Sequence, residues 1–327
     1  MDPKDKKLLY LLDLNAKAKD SELARQLKTS KQVINYRIKR LVDNGIINKF
    51  QTILNLKKLG INIYANIYFK LRNISKIKEQ RIITYLNKNN HVGYIGLLGG
   101  RFDLSTVIVA KNIEQLETKI NKLVTRYPNE LSNYIISLRI IGVKFPKKYL
   151  TEDKKSYREI KPKKIFVKEE RIIKIDELDK NILKSLSENA RTPVLEISSN
   201  LNEPFSTTRV RIKSLEKKEI ISGYSTLLDL GKIGLQNYKI FIKTRDKSEE
   251  SYHKLFSYAS THKNIIWFFK TLGDHDYELR IEVENQEKYQ EIIRELRTEF
   301  SEIIDEVETV IVFKELKEDY SVILLEV

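Results

Sequence analysis

The sequence predicts an α+β protein made of two copies of one unit, in which a three-helix domain precedes an α/β sandwich. Two observations support this prediction. Residues 5–64 align with residues 179–238 at a constant offset of 174 without a gap, and each copy then continues in a strand–helix–strand–strand–helix–strand order. A chain of 327 residues is long enough for two to four compact domains.

The repeat extends through the aligned segments with many identical residues. The identical pairs include Asp5/Asp179, Leu9/Leu183, Leu12/Leu186, Asn15/Asn189, Ala16/Ala190, Glu22/Glu196, Leu27/Leu201, Arg37/Arg211, Ile38/Ile212, Lys39/Lys213, Leu41/Leu215, Ile46/Ile220, Ile47/Ile221 and Gly60/Gly234. After a one-residue slip, Gly100-Arg101-Phe102-Asp103 aligns with Gly273-Asp274-His275-Asp276. Chance does not produce such agreement, so the chain is an internal duplication.

Each copy begins with three predicted helices. In the first copy, leucines recur on one face of residues 5–14, and residues 21–28 form a second short helix. Ser30 is a predicted N-cap of a third helix, which ends at Asn44 before Gly45. The alternating segment that follows reads as a strand to Leu56. Three helices with a tight turn before the third describe a helix-turn-helix of winged-helix-like type.

The third helix carries the residues that we expect to contact DNA. Ile34, Ile38 and Leu41 share one face and are predicted to be buried. The other faces offer Gln32, Asn35 and Tyr36 to bases and Lys31, Lys39 and Arg40 to phosphates, and Ser30 is a further candidate DNA contact. Arg37 lies beside the buried face, so a packing or backbone role is expected at least as much as a base contact. The alternative is that this face is simply solvated.

In the second copy, the corresponding helix is predicted at about residues 206–218, with Thr208, Ile212 and Leu215 inward. Its candidate DNA contacts are Ser206, Arg209, Arg211 and Lys213, and Val210 lies on the same exposed face. Pro204 replaces the capping serine and Glu219 replaces the terminal glycine, which weakens both end signals. Residues 1–60 have a net charge of +8 and residues 175–234 of zero, so the first copy should dominate DNA binding. The second copy then binds weakly, reads another half-site or is structural.

The second domain of each copy has the βαββαβ order of a ferredoxin-like sandwich. Strands and helices alternate over residues 63–143 and again over residues 238–313, and a last strand is predicted over residues 322–326. The resulting domains are 1–60 and 175–234 (helix-turn-helix), 61–143 and 235–327 (ferredoxin-like) and 144–174 (basic linker). The linker, in which we predict one short strand at residues 164–167, either contacts phosphates or is a solvated tether.

Charge points to double-stranded DNA as the partner. The formal net charge is +15, and residues 1–174 contain 38 basic against 16 acidic residues, whereas residues 175–327 contain 22 against 29. Biased residue usage is the alternative explanation of the overall charge. The first half holds the whole positive excess, which favours a localised polyanion-binding surface.

These features resemble the leucine-responsive regulatory protein family (Lrp/AsnC) of transcription regulators. The resemblance rests on residues 33–47, residues 179–191 and the Gly-x-x-Asp loops at residues 98–103 and 272–276, and it covers nearly all of both halves except the linker. It implies a sensor domain that dimerises through its sheet and binds an amino-acid-like effector. Carried over by position, it nominates Gly100, Asp103, Gly273 and Asp276 as effector-binding residues. The alternative is a plain hairpin turn.

A tandem copy departs from the single-copy pattern of that family. Two fused protomers are expected to pair as a pseudo-dimer within one chain, and pairing between chains as a homo-oligomer is the alternative. A linker of about 30 residues permits either arrangement, since it can reach up to ~100 Å.

The sequence gives little support for an enzyme. Cysteine is absent, which excludes disulfides and thiolate metal sites, and the four histidines lack metal-ligand spacing. No nucleotide-binding or catalytic motif occurs, so we expect no cofactor and no enzyme activity. No apolar run reaches membrane-spanning length, which favours a cytoplasmic protein without a membrane partner. The resemblance leaves two alternatives: a sirohaem-decarboxylase-like enzyme of the same fold, or a sensor protein that has lost DNA binding.

Overall fold

The computed structural model describes residues 1–72, 74–152, 163–166, 171–321 and 324. The first copy opens with helices α1 (Pro3–Leu14), α2 (Asp20–Leu27) and α3 (Lys31–Asp43), followed by strand β1 (Ile47–Leu54). Its sensor domain contains β2 (Ile63–Phe69), α4 (Lys76–Asn87), β3 (Val92–Gly99), β4 (Leu104–Ala110), α5 (Ile113–Arg126) and β5 (Tyr134–Lys144). A short strand β6 (Lys163–Phe166) then pairs with the end of β5.

The second copy repeats this order. It contains α6 (Glu177–Glu188), α7 (Val194–Asn200), α8 (Phe205–Lys217), β7 (Ile221–Leu228), β8 (Gln236–Thr244), α9 (Glu249–Thr261), β9 (Ile265–Gly273), β10 (Tyr277–Val283), α10 (Gln286–Glu299) and β11 (Ile304–Glu318). The predicted α+β class, the two helix-turn-helix domains and the two ferredoxin-like domains are therefore confirmed. Among the described residues, none of the helices has the length and apolar character that crossing a bilayer requires.

The helix-turn-helix domains are held by leucine and isoleucine cores. In the first copy, Leu8 and Leu12 of α1 pack with Leu23 of α2 and with Ile34 and Leu41 of α3, and all five are fully or almost fully buried. Full burial of one such side chain contributes about 1.5–3 kcal/mol, so these residues stabilise the packing of the three helices. The predicted inward residues Thr208, Ile212 and Leu215 of the second copy are buried in the same way.

The two sensor sheets join edge to edge and close into one barrel. The strand order is β2-β4-β3-β11-β8-β10-β9-β5, and β5 pairs back to β2. Two junctions connect the copies: β3 pairs with β11, and β5 pairs with β9. All of these pairings are antiparallel, and α4, α5, α9 and α10 pack outside the ring. Closure leaves neither sheet with a free edge along these strands, so pairing within the chain stabilises both domains.

A second contact between the copies lies between the helix-turn-helix domains and the barrel. Strand β1 pairs antiparallel with β7, so that Ile47 faces Leu228, Leu54 faces Ile221 and Gln51 faces Ser225. At the repeat offset of 174, the first two pairs exchange with each other and the third pair maps onto itself. A pseudo-two-fold axis therefore passes by Gln51 and Ser225, and the copies form the isologous pseudo-dimer that the duplication predicts.

The linker prediction is wrong in its first part. Lys144, Lys147 and Tyr149 are buried, and residues 148–150 form a 3₁₀ turn against α1 and the second sensor domain. Lys147 pairs with the buried carboxylate of Glu282, and Lys144 pairs with Asp13 at 3.1 Å. These lysines are neither solvated nor free to bind phosphate, because they are used to join the two copies.

Strand β11 is longer than the sequence pattern predicts. Its first half pairs with β8 of its own copy, and its second half extends to Glu318 along β3 of the other copy. The sequence of one copy does not reveal this extension, because the partner strand lies in the other copy. Of the predicted last strand at residues 322–326, only Leu324 is described, and it has 3₁₀ rather than extended conformation.

Candidate nucleic-acid interface and the junction of the copies

Helix α3 presents the exposed face that its sequence predicts. The hydroxyl of Ser30 accepts a hydrogen bond from the Val33 amide at 3.3 Å, which confirms the N-cap. Gln32 and Asn35 are exposed, and 64% of Tyr36 is accessible. In the part of the chain that the structure describes, no hydrogen bond or ion pair engages the side chains of Lys31, Gln32, Asn35 or Lys39. This face can therefore meet a ligand without losing internal contacts.

The two arginines of α3 are held by acidic residues at the start of the chain. Arg37 donates to Asp2 at 2.7 Å and to Asp5 at 2.6 Å, and Arg40 donates to Asp5 at 2.5 Å. The hydrogen bond from Arg37 lowers the pKa of Asp2. The second copy repeats the arrangement, since Arg211 pairs with Asp176 at 2.9 Å. Arg37 and Arg211 thus tie the third helix to the first helix, and their direct contact with DNA stays a prediction.

Helix α8 presents a different face at the corresponding positions. Ser206, Arg209 and Lys213 are exposed as predicted, together with two large apolar side chains, Phe205 (46%) and Val210 (65%). The helix begins after Pro204 without a side-chain cap. It is followed by Glu219 at φ +56°, where the first copy has Gly45 at φ +63°.

Glu219 stands in a left-handed conformation that costs a residue with a Cβ about 1–2 kcal/mol. We expect Glu219→Gly to raise the free energy of unfolding by about 0.5–1 kcal/mol, since glycine adopts this conformation without strain but loses more chain entropy. Urea denaturation measures the change. Lys218→Gly, at the neighbouring right-handed position, is the control and should not stabilise. A loss of stability in Glu219→Gly would show that its ion pair with Lys58 outweighs the strain.

Helices α3 and α8 each end next to a lysine of the other copy. Lys232 donates to the carbonyl oxygen of Asn44, after α3, at 2.7 Å. Its equivalent in the first copy, Lys58, donates to the carbonyl oxygen of Lys218, after α8, at 2.9 Å. A cation at a helix C-terminus satisfies free carbonyls and complements the helix dipole. The paired caps fix the orientation of each recognition helix relative to the other copy, and sequence reasoning did not identify them.

A second pair of pseudo-symmetric contacts links the helix-turn-helix domains directly. Arg191 donates to the carbonyl oxygens of Ala16 and Ala18, and its guanidinium lies 5.5 Å from the centre of the Phe50 ring. Lys17, the equivalent of Arg191, lies 4.9 Å from the ring centre of Tyr224, the equivalent of Phe50. The two domains are therefore joined through side chains as well as through the β1–β7 ribbon.

The Gly-x-x-Asp loops lie at the junctions between the sensor sheets. Asp103 accepts from the Leu71 amide at 2.9 Å, and Asp276 accepts from the Thr244 amide at 2.8 Å. Each aspartate also pairs with a lysine of its own copy. Gly273 has φ +147°, and the carbonyl oxygen of Ile136 in the other copy occupies the space that a Cβ would need. Both aspartate side chains thus tie their hairpin to the end of the neighbouring strand, β2 or β8, of the same copy, while their backbone carbonyl oxygens accept hydrogen bonds across the hairpin.

The two loops also carry opposite charges at equivalent positions. Arg101 of the first loop pairs with Asp274 of the second at 2.9 Å and with Glu308 at 2.8 Å. Arg101 and Asp274 occupy equivalent positions, so two identical copies would bring like charges to this junction. Opposite charges favour pairing between the unlike copies.

His275 lies inside the end of the barrel, where the first copy has Phe102. Its ring stacks on Phe241 with centroids 4.4 Å apart, and Ser137 lies within 3.3 Å of its Nε2. Burial lowers the pKa of His275 to about 4. The folded protein therefore holds the neutral ring.

We expect this histidine to make folding sensitive to acid. The unfolded chain takes up a proton below about pH 6.5, whereas the folded ring resists protonation until about pH 4, so stability falls as the pH drops between these values. His275→Phe should reduce the loss of stability between pH 7 and pH 5 by about 2 kcal/mol. Urea unfolding at both pH values measures this. His262, whose pKa is also lowered to about 4, leaves a residual dependence. An unchanged pH profile would contradict the assignment.

The barrel interior holds a charged cluster made by both copies. The carboxylate of Glu278 in β10 accepts from Arg139 and Lys239, each at 3.2 Å, and from the Tyr68 hydroxyl at 2.8 Å. All four residues are at least nine-tenths buried. Burial by itself raises the pKa of Glu278, but the charges of Lys239 and Arg139 outweigh it and hold that pKa well below its ordinary value. Burial also lowers the pKa of Lys239 to about 8, against the opposing charge of Glu278.

A cleft of about 770 Å³ separates the β1–β7 ribbon from β11 and continues into a smaller cavity at the end of the barrel. Cationic residues of both copies line it, including Lys49, Lys144, Lys147 and Arg280. Each already holds a carboxylate: Lys49 pairs with Asp319 at 2.8 Å, and Arg280 pairs with Glu315 at 2.6 Å. Within the described part of the chain, no cluster of acidic residues and histidines is arranged to hold a metal ion.

Comparison with known proteins identifies the two kinds of domain. A family model described as the Lrp/AsnC ligand binding domain matches residues 239–322, and a winged helix-turn-helix DNA-binding model matches residues 1–48 and 175–222. An uncharacterised HTH-type transcriptional regulator of Pyrococcus furiosus is 30% identical over 117 residues, which are 36% of this chain and 77% of that protein. The chain belongs to the Lrp/AsnC family.

One further relative and one solved structure are similar to this chain. The DNA-binding transcriptional activator DecR of Escherichia coli is 27% identical over 123 residues, 37% of this chain and 81% of that protein. The siroheme decarboxylase NirDL superposes over 99% of this Lrp/AsnC chain and 98% of its own, with a TM-score of 0.63 and 15% identity. At that identity the likeness shows the fold alone, and it shows it for both copies and the junction between them.

Proposed function

We propose that this Lrp/AsnC protein is a sequence-specific DNA-binding transcription regulator that reads DNA mainly through α3. The observation that carries the proposal is the exposed face of that helix, on which the side chains of Lys31, Gln32, Asn35 and Lys39 have no hydrogen-bond or ion-pair partner among the described residues. The net charge of +8 over residues 1–60 supports it, because affinity for DNA grows with the number of phosphates neutralised.

The residues of α3 divide by chemistry into two groups. Gln32 and Asn35 can form paired hydrogen bonds with adenine in the major groove, and Tyr36 stands beside them. Lys31 and Lys39 are suited to phosphates, as is the half-exposed Arg40, and Ser30 lies at the helix N-terminus where a phosphate is also favoured. In the second copy, Ser206, Arg209, Arg211 and Lys213 occupy the corresponding surface, with less positive charge around them.

Selection from a random pool of duplexes tests the proposal. The full chain is incubated with the pool, and the bound DNA is recovered, amplified and sequenced over several rounds. We expect one motif to be enriched. Recovery of DNA without any enriched motif would overturn sequence-specific reading, and failure to recover DNA at low salt would overturn the proposal as a whole.

We further propose that an amino-acid-like effector acts at the junction of the sensor domains. A shallow hollow of about 320 Å³ lies beside Gly100 and is walled by Tyr238, Tyr289 and Phe313. It lies where β3 of one copy meets β11 of the other, so a ligand there would contact both sensor domains. Exposed backbone next to a glycine suits a carboxylate, and the aromatic walls suit an apolar side chain. Asp103, Gly273 and Asp276 remain predicted effector contacts, although both aspartates already hold backbone amides.

Calorimetric titration of the full chain with each of the standard amino acids tests the effector. We expect at least one to bind, and Tyr289→Ala to abolish that binding. Tyr85→Ala, which removes a half-exposed tyrosine from α4, is the matched control and should leave binding unchanged. If no amino acid binds, the proposed effector is wrong. The proposed DNA-binding function is not affected by that result.

A tetrapyrrole-binding enzyme is the second candidate function. It is favoured by the full-length likeness to the siroheme decarboxylase NirDL, also solved with an iron-uroporphyrin III analogue, together with the cleft of about 770 Å³. Against it, four of the cleft cations (Lys49, Lys144, Lys147 and Arg280) already pair with carboxylates, and the described lining residues include no histidine.

Visible absorption distinguishes this candidate from the first. The chain is titrated with iron-uroporphyrin III, alongside a Lys49→Ala, Lys144→Ala variant. A shifted Soret band at micromolar concentration that is lost in the variant would support the enzyme. An unchanged spectrum would exclude it.

A further inference from the structure

We propose that the chain reads an inverted pair of unlike half-sites, and so binds DNA in one fixed orientation. This inference rests on the proposed DNA-reading function and concerns the kind of operator that the chain recognises. It follows from the geometry that relates α3 to α8 and from the side chains in which the two helices differ.

The pseudo-two-fold axis that passes by Gln51 and Ser225 relates the two helix-turn-helix domains to each other. The β1–β7 register and the exchanged lysine caps obey the same axis, and so do the Arg191–Phe50 and Lys17–Tyr224 contacts. The two helix-turn-helix domains are therefore presented as one unit with opposite orientations. An isologous pair of recognition helices reads two inverted half-sites whose centres lie about one helical turn apart or a multiple of it.

The side chains that differ between the copies include those that would reach base edges. Equivalent positions on the exposed faces carry Lys31 and Phe205, Gln32 and Ser206, Asn35 and Arg209, and Tyr36 and Val210. Some residues that support the helix are the same in both copies. Lys39 corresponds to Lys213, and Arg37 corresponds to Arg211; each of these arginines pairs with an acidic residue at the start of the first helix of its copy. Arg40 is replaced by Ser214, but the residues that hold the third helix against the first helix are kept, so α8 retains the scaffold on which a different face can be read.

The chemistry of each face indicates what it reads. Gln32 and Asn35 are the side chains that pair with adenine, whereas Arg209 is suited to the O6 and N7 atoms of guanine. Val210 and Phe205, both exposed, are suited to thymine methyl groups. We therefore assign an adenine-containing half-site to α3 and a guanine-containing half-site, flanked by thymine, to α8.

The motif selected by the full chain gives the first test. We expect an inverted, non-palindromic site in which Arg209→Ala removes the preference for guanine in one half and lowers affinity about tenfold or more. The same variant should leave the other half unchanged. A perfect palindrome, or a single half-site that Arg209→Ala does not affect, would overturn the inference while leaving DNA reading intact. No binding at all would instead overturn the proposed function.

Orientation is tested with directed cleavage, which the chain allows because it contains no cysteine. Glu22→Cys and Glu196→Cys place one thiol at equivalent exposed positions of the two helix-turn-helix domains, and each is labelled with an iron chelate that cleaves nearby DNA. We expect the two labels to cut opposite ends of the selected site. Cleavage of both ends by each label would show two orientations and contradict the inference.

Discussion

Replacing Gln32 and Asn35 with alanine is expected to remove most of the sequence discrimination at the half-site that α3 reads. Each lost contact to a base costs about 1–3 kcal/mol, so the double variant should bind the selected duplex at least tenfold more weakly. Its affinity for unrelated duplexes should hardly change, because phosphate contacts supply that affinity. Fluorescence anisotropy on both duplexes gives the two affinities.

The control variant removes the same two residue types, glutamine and asparagine, from exposed positions outside α3. Gln80 and Asn121 are exposed on the outer helices of the first sensor domain, and changing both to alanine should leave both affinities unchanged. If the α3 variant prefers the selected duplex as strongly as the wild type does, the base contacts have been assigned to the wrong face.

Loss of the Glu278 carboxylate is expected to have the largest effect on stability. Glu278→Gln keeps the shape of the side chain but leaves Arg139 and Lys239 buried without a countercharge. Removing one partner of a buried ion pair typically costs about 3–5 kcal/mol. Urea denaturation measures the free energy of unfolding, and loss of the cluster should weaken both copies together because Arg139 and Lys239 belong to different copies.

Two further variants make this prediction specific. Asp305→Asn breaks the exposed pair with Arg245, which should cost only about 0–1 kcal/mol. Adding Lys239→Met to Glu278→Gln removes one of the unpaired charges and should recover part of the loss. A Glu278→Gln protein as stable as the wild type would show that the cluster does not stabilise the barrel.

The sequence predicts the fold well because the duplication supplies each signal twice. Helix periodicity, the Ser30 cap and the inward faces of α3 and α8 are local properties, and the structure confirms them. The same holds for the βαββαβ order. The length of β11 was not predictable in this way, because its second half is defined by a strand of the other copy.

The junction between the copies was the least predictable part. Lys58 and Lys232 are identical at the repeat offset, but nothing local indicates that each caps a helix of the opposite copy. The burial of Lys144 and Lys147 runs against the usual behaviour of a lysine-rich segment, because their carboxylate partners lie more than a hundred residues away. Long-range charge pairs leave no periodic pattern in the sequence.

The salt dependence of duplex binding by the full chain tests the central claim most directly. Affinity is measured at about 50 and 200 mM salt, for the wild type and for a Lys31→Ala, Lys39→Ala variant. We expect binding that weakens steeply with salt, and a slope reduced by about 2 in the variant, since two phosphate contacts are lost. Absence of binding at the lower salt concentration, or the same slope in both proteins, would contradict a DNA reader built on α3.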